Sequence, residues 1–119
     1  MNTYKDLTVW QKSIDLVVKI YELTEKFQKE EIFGLTSQIR RAAVSIPSNI
    51  AEGKMRGGSV EFKRFLSIAF SSGAELETQI IISKRLPKNA KLDYNKVDSL
   101  LEEVMKMLNK LISQLGPSS

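Results

Sequence analysis

The chain has no cysteine and no histidine. The first absence excludes disulfides, thiolate nucleophiles and Cys-ligated metals. The second removes the commonest general base and transition-metal ligand. Two-metal carboxylate bundles draw a Glu-x-x-His pair from each of two helices, so that centre cannot be built here. Ser45 and Ser71 lack a base of the usual kind to activate them. No cofactor is expected. Prolines number three and glycines six in 119 residues. Alternating β-branched runs are scarce as well, and helix is favoured over strand. No apolar run reaches the ~18 residues of a membrane span, and residues 1–6 do not read as a signal peptide. The expectation is a cytoplasmic, non-enzymatic protein with no membrane partner. Gly53 and Gly57-Gly58 match no phosphate loop, since no strand precedes them and no GK[ST] follows.

What the chain does have is helical periodicity. Its length suits one domain, residues 1–119. Residues 7–27 carry two apolar seams. One is Leu7, Trp10, Ile14, Val17, Tyr21 and Thr24; the other is Val9, Leu16, Ile20, Leu23 and Phe27. Two seams are more apolar surface than one side of a bundle needs. Either the helix sinks between two neighbours of its own chain, or one seam meets another subunit. Residues 28–31 form a short polar connection. A second helix follows over residues 32–54, with Leu35, Ile39, Ala42, Ala43, Ile46 and Ile50 apolar. Pro47 removes a backbone donor inside it, so a kink is expected there. Gly53, then Gly57-Gly58, should end it. Ser59 suits the N-cap of a third helix over residues 60–86. Its seam is Phe62, Leu66, Ala69, Gly73, Leu76, Ile80 and Ser83, with Phe65, Ile68, Phe70, Ile81 and Ile82 off it. A fourth helix, residues 93–115, has the cleanest seam: Tyr94, Val97, Leu101, Val104, Leu108, Leu111 and Leu115. Asp93 or Asn95 can cap it. The fold class is therefore all-α: an up-down-up-down antiparallel four-helix bundle, its second helix kinked at Pro47.

A turn near Gly57 sets levels along the second and third helices. Arg40 and Arg41 fall near Gly73 and Glu75, with Glu77 one step beyond, and Gln38 falls near Leu76 and Gln79. The inferred network joins Arg40 or Arg41 to Glu75 or Glu77, helped by Gln38 and Gln79. Towards the other end, Asn49 and Glu52 are placed to reach Thr8, Gln11 and the backbone opened by Pro47. The role expected of this network is structural: it fixes register and helix pairing.

The net charge of +4 is uneven. Residues 32–92 hold ten Lys/Arg against four Glu. Lys54, Arg56, Lys63 and Arg64 cluster at the second turn of the bundle. Lys84, Arg85, Lys88 and Lys91 cluster at the third. The two groups lie at opposite ends, roughly 40 Å apart at 1.5 Å per residue. A ring of protomers would repeat each cluster into a basic belt able to bind phosphate backbones independently of sequence. Aromatics for base stacking are not interleaved with them. A solvated lysine-rich surface is the alternative at each position.

The runs Tyr4-Lys5-Asp6-Leu7-Thr8-Val9-Trp10-Gln11, residues 33–53 including Ser45-Ile46-Pro47-Ser48-Asn49-Ile50-Ala51-Glu52-Gly53, and residues 61–79 resemble one bacterial family. It is the four-helix-bundle proteins first known from intervening sequences in 23S ribosomal RNA genes. The resemblance implies a kinked second helix, a four-helix bundle and a homopentameric ring with a central channel. A more distant resemblance is to the accessory protein of diversity-generating retroelements, a basic pentameric barrel that binds nucleic acid and a reverse transcriptase. The function expected is a non-enzymatic homopentamer binding RNA or DNA by backbone charge. A protein–protein adaptor or structural ring without a nucleic-acid role is the alternative.

Overall fold

Four stretches of helical periodicity become four helices in the computed structural model, which describes residues 3–116. They are α1 (Thr8–Thr24), α2 (Leu35–Arg56), α3 (Ser59–Arg85) and α4 (Asn95–Gln114). Single 3-10 turns, Tyr4–Asp6 and Lys29–Glu31, precede α1 and α2. Each helix packs against its sequence neighbour, and α1 closes the square on α4; the diagonal helices stand further apart. The result is an up-down-up-down four-helix bundle with no strand among the described residues, its long dimension 46 Å.

The core selects one of the two seams of α1. Val9, Leu16, Ile20, Leu23 and Phe27 are buried with Ile39, Ile46 and Ile50 of α2, Leu66, Leu76 and Ile80 of α3, and Val97, Leu101, Val104 and Leu108 of α4. Burying each such side chain stabilises the fold by roughly 1.5–3 kcal/mol. The other seam lies at the edge of the core: Leu7, Trp10 and Val17 are half-buried against it, Ile14 is half-buried, and Tyr21 is exposed. Thr24 alone crosses to the buried side, where its hydroxyl bonds the Ile20 carbonyl. The third helix keeps its expected seam, except that Phe62 is half-buried and Phe65 is buried instead.

The proline is tolerated as the pattern implies, since α2 runs unbroken from Leu35 through Pro47 to Arg56. Asn49 Nδ2 donates to the Ser45 carbonyl at 2.8 Å and to Ser45 Oγ at 2.9 Å, bracing the turn that Pro47 leaves one bond short. Two expected boundaries are corrected. Gly53 does not end α2; it is buried within it, and a Cβ there would lie 2.5 Å from Phe65 Cβ. This glycine sets the close approach of α2 to α3. The helix ends at Gly57, where Gly57 and Gly58 take φ of 77° and 85°, a left-handed conformation suited to glycine. Nor does Ser59 cap α3: it is the first helical residue and Gly58 holds the cap position without a side-chain bond.

Candidate nucleic-acid interface

The polar network forms along different lines from those inferred. Arg40 turns to α1, not α3. Its Nε donates to Thr24 Oγ1 at 2.8 Å, and its guanidinium lies 4.4 Å from the Tyr21 ring centroid. The reason is angular: Arg40 and Arg41 are about 100° apart on the helix, so only one can face α3. Arg41 does lie on that side, lining a small groove with Gln38, Ser45 and Glu75. It bonds Ser37 Oγ at 3.1 Å, however, and makes no ion pair with Glu75 or Glu77. Glu75 accepts a long bond, 3.5 Å, from Gln79 Nε2, while Gln79 Oε1 is buried without a partner. At mid-bundle, polar contact between α2 and α3 runs instead through Ser45 Oγ and Ser72 Oγ, 2.8 Å apart. Asn49 and Glu52 do not reach α1. Asn49 serves Ser45, Glu52 pairs with Arg56 at 2.8 Å, and Gln11 donates to the Lys5 carbonyl.

The two basic clusters differ in what holds them. At the α2–α3 turn every cation is engaged. Arg56 pairs with Glu52 and reaches Glu61 at 3.8 Å; Arg64 pairs with Glu61 at 3.1 Å. The Arg64 hydrogen bond holds the Glu61 carboxyl below the usual glutamate range, and the nearby Arg64 and Arg56 charges add to it. Glu61 in return raises the Arg64 guanidinium. Both guanidiniums lie over Phe65, at 5.1 and 4.5 Å, and Lys54 lies over Phe62 at 5.4 Å. Lys63 donates to the Gly116 carbonyl, tying α3 to the end of α4. Aromatics are thus interleaved with this cluster after all. Phe65 is buried and both rings carry a cation, so neither offers a free face to a base.

At the α3–α4 turn the situation reverses. Lys84 is held, by Asp98 at 2.6 Å and over the Tyr94 ring. Arg85, Lys88 and Lys91 are exposed and pair with no described carboxylate. The acid of this turn, Asp93, accepts from the Asn95 amide at 2.9 Å through Oδ1. Tyr94 holds the N-cap position of α4 without a side-chain bond, so neither Asp93 nor Asn95 is the cap expected from the sequence. The turn is fixed from below. Tyr94 Oη donates to the buried Asn89 carbonyl at 3.0 Å, so it accepts from Ser83 Oγ at 2.6 Å. This brace was not read from the sequence. A serine and a tyrosine on apolar seams, eleven residues apart, give little sign that a loop returns between them.

No helix is long and apolar enough to cross a membrane, and no three carboxylates gather as a metal site among the described residues. A family model, described as 23S rRNA-intervening sequence protein, matches residues 5–110. Among curated proteins none matches.

Proposed function

The chain belongs to the 23S rRNA-intervening sequence protein family, and from that premise we propose a cytoplasmic, non-enzymatic homo-oligomer that binds RNA or other nucleic acid through its basic surface. The observation that carries the nucleic-acid reading is the α3–α4 turn. Arg85, at the end of α3, and Lys88 and Lys91, on the turn held by Tyr94, stand exposed and unpaired. Such cations contact phosphates and read no base, so binding is independent of sequence and weakens with salt. The oligomer is supported by α1, whose second seam one copy leaves partly open to water. The pentameric ring implied by the sequence resemblance is the assembly we favour, because it repeats the turn around an axis.

A specific observation also favours a protein–protein adaptor or structural ring. Val18, Tyr21, Ile32 and Val44 are exposed apolar residues, and Phe33 is 96% exposed. These would serve a protein partner as well as a second copy. A salt series on the oligomer, freed of bound nucleic acid and presented with structured RNA, separates the readings. Binding at low salt, with the logarithm of affinity falling linearly with the logarithm of salt, supports the first. No binding at the lowest salt leaves the adaptor.

A further inference from the structure

A groove of about 570 Å³ runs over the upper half of α2 beside the end of α1. It is lined by Tyr21, Ile32 and Val44 on its apolar side. Its polar side holds Arg40, Arg41, Thr36, Ser37 and Ser45, and no carboxylate lines it. Arg40 is pre-oriented here. Tyr21 holds one face of the guanidinium and Thr24 takes its Nε, leaving the two terminal nitrogens without a protein acceptor. Arg41 uses one terminal nitrogen on Ser37. Thr36 is 4% exposed and its hydroxyl oxygen is buried without a partner. Glu31 Oε1 accepts from the Leu35 amide at 3.4 Å, and Glu75, in the adjoining groove, accepts from Gln79.

We propose that this groove is a binding site for a phosphate monoester carried on an apolar or planar body, such as a nucleotide or the phosphorylated end of an RNA strand. Two guanidiniums, one fixed by stacking and one by a hydroxyl, match the fork geometry that phosphate oxygens accept. The walls of Tyr21, Ile32 and Val44 suit the body that carries the phosphate. Both arginines line the groove and no carboxylate does, so an anion bound there would offset their charge. The site is separate from the α3–α4 turn and does not rest on the RNA reading above.

The test is calorimetric titration of the native oligomer with a nucleoside 5′-monophosphate and with the matching nucleoside, followed by RNA strands with and without a 5′-phosphate. Saturable binding of the monophosphate, with none of the nucleoside, is expected. Arg40→Gln should weaken it at least roughly tenfold, in keeping with loss of a charge-assisted contact. Arg40 also braces α1, so Arg41→Gln serves as a second, exposed variant and should weaken binding as well. Arg85→Gln should leave it unchanged. A preference for 5′-phosphorylated RNA abolished by Arg41→Gln places the phosphate on a strand end; binding of the free nucleotide without that preference places it on a small molecule. Equal binding of nucleoside and monophosphate would overturn the proposal. So would unchanged affinity in Arg41→Gln, or a change in oligomer mass with phosphate binding intact, which would make the groove a subunit contact.

Discussion

The two turns with basic clusters each carry four cations, yet they are different surfaces. At the α2–α3 turn, Glu52 and Glu61 lie three or four positions from Arg56 and Arg64 along the same helix, so the pairs close within one turn. Phe62 and Phe65 take up the remaining faces. At the α3–α4 turn, Asp98 takes Lys84 and Asp93 bonds the Asn95 amide, and neither pairs with Arg85, Lys88 or Lys91. Charge counted along a sequence therefore overstates what a partner can use. What matters is which cations have been left without an anion or ring of their own.

The comparison is broken most severely by replacing the free cations. Changing Arg85, Lys88 and Lys91 together to glutamine should weaken binding of structured RNA roughly hundredfold near physiological salt, three charge-assisted contacts being lost. The slope of log affinity against log salt should flatten by about 3, close to one unit per phosphate contact. The matched triple at the other turn, Arg56, Lys63 and Arg64 to glutamine, should change affinity by less than about threefold, the size of an exposed ion pair. Equal losses from both triples would erase the distinction.

Gly53→Ala probes what holds the paired turn. Its new methyl meets Phe65 Cβ, the carbon that anchors a packed ring to its backbone. Unfolding should be easier by roughly 1–3 kcal/mol, the usual cost of overpacking, measured by chemical denaturation. Gly73→Ala meets only the Met105 thioether and should cost less, because that side chain can swing away. Tyr94→Phe probes the free turn. It leaves the Asn89 carbonyl and Ser83 hydroxyl without their phenol and should cost about 1 kcal/mol or somewhat more. Faster amide exchange at Leu92 and Ala90, the turn's own bonded amides, is the local readout.

The smallest effect is expected from Glu61→Gln, which frees Arg64 of its carboxylate while Arg56 keeps Glu52. RNA affinity should rise by less than about threefold. The glutamate titrates below its ordinary value of 4.5, so whatever stability it adds is present above that value and lost as pH falls through its lower, folded value. The stability difference between wild type and variant should therefore vanish in acid.

The bundle was legible because each element carried its own signal. The seam of α4 is continuous from Tyr94 to Leu108 and is the buried one. Glycine with positive φ marks the α2–α3 turn. The seam of α1 was legible as an excess but not as a choice, since both sets keep helical spacing and only the packing of α2 and α4 decides between them. Gly53 read as a terminator because glycine signals both an end and a close contact, and the partner, Phe65, lies on another helix. The choice between Arg40 and Arg41 for α3 stayed open because the level of a residue follows from counting while its direction depends on a rotation of about 100° per residue. The pairing of Arg64 with Glu61 and of Arg56 with Glu52, by contrast, follows from spacing of three and four and was available in the sequence.

Native mass determination with the ratio of absorbance at 260 and 280 nm tests assembly and nucleic-acid binding together. The expected result is a particle several times the 13.5 kDa chain, purifying with nucleic acid that high salt strips away while the particle keeps its mass. A folded, stable single copy free of nucleic acid, with Trp10 and Tyr21 in unchanged surroundings on dilution, would contradict it.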